Sequence, residues 1–313
     1  MERKTCSVVI PVYRSAETLG LLVDRLSKVL PLVAEQYEVI LVNDGSPDNS
    51  WEVIQDLARQ HSWLVGICLM RNYGQHNALL CGIKAAKHEV IVTMDDDLQH
   101  PPEEIPKLIA ALGDKYDVVY GKPIKQQHGL WRDLASQITK LTLQNAMGAK
   151  TAQNTSAFRA FRTQIRNAFT DYQSPFVAID VLLTWGTTRF TFVDVLHDQR
   201  TVGTSNYTFR KLVFHALNML TGFSILPLQF ASLTGLGFAL FGMVILVRVV
   251  GRYLIVGSGL PGFTFLASTI AIFSGIQLFA LGVIGEYLAR MYFRSMGRPS
   301  SVIRDRVGFD SDL

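Results

Sequence analysis

Val90-Ile91-Val92-Thr93-Met94-Asp95-Asp96-Asp97-Leu98-Gln99 sets an apolar, β-branched run directly against three carboxylates. The run reads as a strand, and the charge marks where it ends. Working outward, the same design repeats. Ser7–Val12, Glu38–Asn43, Val65–Leu69 and Asp117–Tyr120 also read as strands, while Thr18–Leu30, Ser50–Arg59, Gln75–Ala86 and Pro102–Ala111 have helical patterns. Short strands alternating with helices predict an α/β fold with a largely parallel sheet, whose ligands bind at the carboxyl ends of the strands. Polar segments sit at those positions: Pro11-Val12-Tyr13, Asn43-Asp44-Gly45-Ser46, Arg71-Asn72-Tyr73-Gly74 and Asp95-Asp96-Asp97.

The remainder of the chain is of another kind. Phe230–Val250 is an apolar run of 21 residues, about 32 Å as a helix and close to the thickness of a bilayer core. Phe263–Leu288 is longer, and Glu286 is its one charge. Both are expected to span a membrane, joined by a hairpin over Gly251–Gly262. Glu286 needs a partner in such a setting, and Arg290 stands one helical turn away. Leu130–Met147 and Tyr207–Leu220 have helix-spaced apolar positions mixed with Arg and Lys, so each is either an interfacial helix or an amphipathic helix on the protein core. The expected division is a catalytic domain over 1–206, a juxtamembrane helix over 207–229, a transmembrane hairpin over 230–289 and a tail over 290–313.

Charge and cysteine content narrow the function classes. The formal net charge is +4 over 313 residues, too small for a nucleic-acid-binding field. Basic residues cluster beside the apolar runs, with Arg210 and Lys211 before the first and Arg290, Arg294 and Arg298 after the second. This bias places both termini on the cytoplasmic side of the cytoplasmic membrane, although Arg248 and Arg252 lie toward the intervening loop. Cys6, Cys68 and Cys81 are odd in number and lack metal-ligand spacing, so neither a disulfide framework nor a zinc site is expected. The apolar Cys6–Tyr13 stretch is too short for a signal-peptide core.

Three adjacent carboxylates repel one another unless a cation or solvent relieves them, and hard oxygen ligands suit Mg²⁺ or Mn²⁺. Such a cation bridges diphosphate oxygens and neutralises charge on a departing nucleotide diphosphate. An isolated Asp triplet more often marks a solvated turn. Here it continues as Leu98-Gln99-His100-Pro101-Pro102-Glu103, with Pro102 and Glu103 opening a helix.

Taken in order, Val9-Ile10-Pro11-Val12-Tyr13, Val42–Ser50, Arg71-Asn72-Tyr73-Gly74-Gln75-His76 and Asp95–Glu103 strongly resemble the GT-A glycosyltransferases that load polyprenyl phosphate. The resemblance extends to Arg200–Tyr207 and Leu281–Leu288. It implies a GT-A fold followed by interfacial and two transmembrane helices. It also implies inverting, single-displacement transfer from a nucleotide sugar, UDP-linked by analogy with bacterial members, to undecaprenyl phosphate, with Mg²⁺ or Mn²⁺ and a homo-oligomer such as a tetramer. Position by position, Asp44 would contact base or ribose, Pro11 and Tyr13 would shape that pocket and Arg71 would support it. Asp95 would face the nucleotide, and Asp97 and Gln99 would hold metal and diphosphate, making Asp95, Asp97 and Gln99 the catalytic set. Arg132, Arg200 and Ser205 would grip the lipid phosphate.

Two positions depart from the pattern. Many relatives read Tyr-Asn-Glu where this chain has Tyr13-Arg14-Ser15, which leaves an acidic nucleotide contact missing or supplied by Glu17. Several read Asn-Thr-Gly-Asp-Phe-Arg where this chain has Asn154-Thr155-Ser156-Ala157-Phe158-Arg159, and Ala157 can be neither base nor ligand. A degenerate, membrane-anchored scaffold is therefore the rival reading. A polysaccharide synthase is disfavoured, since its Gln-x-x-Arg-Trp motif and additional spans are absent from the sequence.

Overall fold

The computed structural model describes residues 4–124, 152–174, 176–198, 226–256 and 263–309. The chain divides into one unit of Met1–Ala216 with Gly297–Leu313 and another of Leu217–Met296.

The first unit is built on β1 (Lys4–Val12), α1 (Ala16–Val33), β2 (Ala34–Asn43), α2 (Ser50–Gln60), β3 (Leu64–Leu69), α3 (Gln75–Ala85) and β4 (Val90–Thr93). It continues through α4 (Ile105–Leu112), β5 (Val118–Pro123), β6 (Arg159–Arg162), α5 (Ile179–Gly186), β7 (Phe190–Val195) and β8 (Ile303–Val307). The eight strands form one sheet in the order β7-β5-β6-β4-β1-β2-β3-β8. β1 pairs in parallel with β2 and β4, and β2 with β3, whereas β6 runs antiparallel to β4 and β5.

Every residue of β3 and β4 is buried, so these strands carry apolar side chains on both faces. On α1, Leu19, Leu22, Val23, Leu26 and Leu30 recur at three- and four-residue intervals and are buried in the core beside Val8, Ile10 and Leu41. Each fully buried leucine contributes about 1.5–3 kcal/mol. This burial holds the helices against the sheet and leaves its carboxyl edge to the loops.

The first four strands and helices fall where the sequence pattern puts them, with ends shifted by a few residues and the Pro102 segment starting as a 3-10 turn over Pro102–Glu104. β6, α5 and β7 were not anticipated. Nor was β8: the stretch read as a tail from residue 290 continues a helix to Ser295 and then adds a strand to the sheet. Arg304, Asp305 and Arg306 disguise that strand, because it lies at the sheet edge, where its charges stay exposed. Returning from the second unit, the chain meets the carboxyl end of β3, where the Met70 N–H donates to the Val302 carbonyl at 2.9 Å. Antiparallel pairing follows from Leu69 opposite Ile303 to Gly66 opposite Val307.

The second unit contains α6 (Leu226–Val256, 31 residues) and α7 (Phe263–Ser295, 33 residues). The candidate spans are Leu226–Arg252 and Ile272–Ser295, and the most apolar 18-residue window of each is unburied. Exposed apolar helices of this length match membrane spans, and at about 46 and 50 Å both exceed the roughly 30 Å hydrocarbon core. α6 runs to Val256, so the connection shortens from the expected Gly251–Gly262 to residues 257–262. The helices meet where Gly242 leaves room for Phe273: a Cβ there would lie 2.9 Å from the ring. Arg290 pairs with Glu286 at 2.8 Å, as the one-turn spacing predicts. The two segments read as interfacial helices, 130–147 and 207–220, lie outside the described residues.

Candidate active site

The carboxyl ends of β1, β2 and β4, with the loop between β3 and α3, enclose one cleft. It is lined by Pro11, Val12, Tyr13, Asp44, Asn72, Gly74, Gln75, Asp95, Asp96 and Asp97. Four segments distant in sequence thus deliver polar groups to one place, as an open α/β sheet predicts.

Asp44 is the organiser of one side. Its Oδ1 accepts the Tyr73 N–H at 2.7 Å and its Oδ2 accepts the Gly74 N–H at 2.8 Å, fixing the entry to α3. Burial lifts its carboxyl above the usual range, against the pull of these two N–H groups and of Arg71. Gly45 makes the close approach feasible. It has φ of +61°, and a Cβ would fall 2.4 Å from the Arg71 carbonyl carbon. Gly45→Ala is therefore expected to destabilise the first unit by about 2–3 kcal/mol through left-handed strain and backbone displacement. A lowered melting temperature is the result that checks it; an unchanged melting curve would contradict it.

The three aspartates have different surroundings. Asp95 Oδ1 accepts from the Gln75 amide at 2.6 Å. Asp96 Oδ2 accepts from the Tyr13 N–H at 3.2 Å and from the Ser15 hydroxyl. Asp97 Oδ1 accepts the Gln99 N–H at 3.1 Å, across Leu98, whose φ of +61° is unusual for a branched residue. Burial, then the Asp97 and Asp96 charges, push Asp95 up to about 7. Burial is also the main cause that raises Asp96, to about 6. Burial and mutual repulsion thus hold Asp95 and Asp96 above the ordinary carboxylate range.

The chemistry of the donor set is the test of fit for a cation. Among the described residues no three His, Cys, Asp or Glu side chains are arranged to hold a metal ion by themselves. Two carboxylates completed by substrate phosphates suit Mg²⁺ or Mn²⁺, which keep part of their shell for non-protein oxygens. The residues present fit such an ion.

Other expected residues are placed less directly. Arg71 and Gln99 are not among the cleft lining. The Arg71 guanidinium lies 4.4 Å from the centre of the Tyr73 ring, and the Gln99 carbonyl accepts the Asp198 N–H at 2.9 Å. Glu17 is exposed on the first turn of α1 and is not part of the lining. Arg132, Arg200 and Ser205 lie outside the described residues. Ala157 contributes its carbonyl, which accepts from the Thr93 hydroxyl at 2.8 Å. His100 is buried against Phe158, and burial, His197 and Arg159 push it down to about 4, so it is neutral at physiological pH. Val12, Asn72, Gly74, Gln75 and Asp96 line the cleft, and Ser15 bonds Asp96, without a role assigned by sequence reasoning. Asn72 and Gln75 stand inside a quoted motif, whereas Ser15 looked like a loss.

Residues 7–172 match the family model described as Glycosyl transferase family 2. The chain belongs to glycosyl transferase family 2. Similar curated proteins match nearly the whole length of the chain. The undecaprenyl-phosphate 4-deoxy-4-formamido-L-arabinose transferase of Yersinia enterocolitica is 35% identical over 309 residues, covering 97% of this chain and 94% of that protein. That of Pectobacterium carotovorum is 34% identical, covering 99% and 96%. The solved structure of glucosyl-3-phosphoglycerate synthase from Mycobacterium tuberculosis, in complex with Mn²⁺, UDP and phosphoglyceric acid, shares the fold. Its TM-score is 0.53 at 17% identity, covering 70% of this chain and 76% of that one. This family 2 glycosyltransferase accordingly has a GT-A fold with a mostly parallel sheet, followed by two helices long and apolar enough to cross a membrane. Within that fold, its cleft lies at the carboxyl ends of β1, β2 and β4.

Proposed function

We propose that this enzyme transfers a sugar from a nucleoside-diphosphate donor, expected to be UDP-linked, to undecaprenyl phosphate, with inversion in a single displacement. The observation that carries the reading is a carboxylate-lined cleft on a sheet whose chain departs into two exposed apolar helices and returns to the same sheet. A water-soluble donor and a lipid acceptor need that combination.

Asp95 and Asp97, with Gln99, would hold Mg²⁺ or Mn²⁺, which when bound supplies Lewis acidity toward the diphosphate leaving group. The chain's own groups do the rest. Tyr13 and Pro11 wall the nucleoside position, Asp44 keeps the Tyr73-Gly74 turn in place, and Arg71 supports that turn from outside. Ala157 offers no base, and none is required. A phosphate monoester has a second pKa of about 6 and is already largely a dianion near neutral pH, so alignment with the anomeric carbon suffices. Arg132, Arg200 and Ser205 are assigned to that alignment, arginine pairing with phosphate oxygens in two parallel hydrogen bonds. Basic residues flanking the spans support a cytoplasmic catalytic unit in the cytoplasmic membrane, and assembly as a homo-oligomer belongs to the same reading.

The test is transfer by purified full-length protein from labelled nucleotide sugars to undecaprenyl phosphate with Mg²⁺ or Mn²⁺, followed by chloroform extraction. The relatives' 4-deoxy-4-formamido-L-arabinose heads the donor screen. A labelled lipid that requires both metal and lipid phosphate is expected. No labelled lipid with any donor would leave the scaffold reading, and product that grows without lipid phosphate would indicate a polymerase.

A further inference from the structure

The middle aspartate of the triplet is held differently from its neighbours. Its Oδ2 is the acceptor for the Tyr13 N–H and the Ser15 hydroxyl, and its carbonyl accepts the Thr18 hydroxyl at 3.0 Å. The first two donors belong to the turn from β1 into α1 and the third to the first turn of α1. Between Tyr13 and Ser15, Arg14 adopts φ of +59°, a left-handed conformation that a non-glycine residue keeps only when its surroundings impose it. They do so from both sides: the Arg14 N–H donates to Ser46 Oγ at 2.7 Å and the Ser15 N–H to Ser50 Oγ at 3.2 Å. Tyr13 itself is half exposed and forms one wall of the cleft.

We propose that Asp96 and Ser15 form a latch: the Asp96 carboxylate fixes the β1–α1 turn, and with it the Tyr13 wall against which the donor's nucleoside packs. Asp96 and Ser15 are then positioning residues, distinct in role from Asp95 and Asp97. A carboxylate at position 15 would face Asp96 and repel it, whereas a hydroxyl donates to it. This assignment rests on the reading of the cleft as a nucleotide site.

Three measurements on the full-length protein test it. Backbone hydrogen exchange over residues 10–19 is expected to quicken about tenfold in Ser15→Ala and in Asp96→Ala, since each loses a hydrogen bond involving a charged group. The Kd for UDP at saturating Mn²⁺ is expected to rise about tenfold in Ser15→Ala, while half-saturation by Mn²⁺ at saturating UDP shifts less than about twofold. Ser15→Thr, which keeps the hydroxyl, restores both. A Mn²⁺ half-saturation that moves in Asp96→Asn as far as in Asp97→Asn would make Asp96 a ligand and overturn the latch. So would unchanged UDP affinity in Ser15→Ala. A wild-type enzyme that takes neither UDP nor GDP with Mn²⁺ removes the nucleotide reading and this role with it, even if the exchange data show the turn held as described.

Discussion

Asp97→Asn is expected to lose metal-dependent transfer by about a thousandfold or more while the protein stays folded. Asparagine keeps an oxygen at Oδ1 to accept the Gln99 N–H, so the turn across Leu98 survives. What disappears is the negative charge beside Asp95 that would draw a divalent ion into the cleft. Chelation of the wild-type enzyme should bring it to the same residual rate, and Mg²⁺ or Mn²⁺ should restore the wild type alone. Initial rates of labelled-lipid formation over a metal titration, with melting curves for both proteins, make the comparison. Full activity in the folded variant would remove the proposed metal site altogether.

Arg159→Met has the largest expected effect on stability. Arg159 heads the fully buried side chains, and its guanidinium pairs with Asp180 in the first turn of α5. The same Asp180 oxygen accepts the Tyr120 hydroxyl at 2.9 Å. Truncating the cation leaves a largely buried carboxylate with one neutral donor. Removing one partner of such a pair costs about 3 kcal/mol, or roughly 6–12 °C in melting temperature for a domain of this size. The paired change Arg159→Met with Asp180→Leu should recover most of that loss, because an apolar replacement of the whole pair leaves no orphaned charge. A single variant that melts with the wild type would show that packing alone fills the site. Arg159 lies opposite Thr93 in the β4–β6 register, two residues before Asp95, so slower transfer is expected to accompany the lost stability.

How much of this could be read from residues alone depends on whether a feature is local. The β1–β4 strands and their helices were legible because each buries a run of consecutive apolar side chains, and the carboxyl-edge rule then located the cleft. Asp44 was legible as a site residue, but not its double hydrogen bond to Tyr73 and Gly74, which depends on how Gly45 lets two loops approach. The split among Asp95, Asp96 and Asp97 was not legible either. Identical side chains in sequence differ only in which loop they meet, and that is fixed by a left-handed Arg14 and Leu98. β6 and β8 were missed for a shared reason. Each carries arginines in a short strand, and pairing with β4 and β5 or with β3 comes from residues far away along the chain.

The placement of β8 bears on biogenesis. Because Ile303–Val307 zips onto β3 only after both apolar helices have been synthesised, the catalytic sheet leaves the ribosome with an open flank. That flank stays unpaired until the chain has passed through α6 and α7, so the sheet is completed late in synthesis. A nascent chain stalled before residue 303 would therefore carry a template for aggregation at β3.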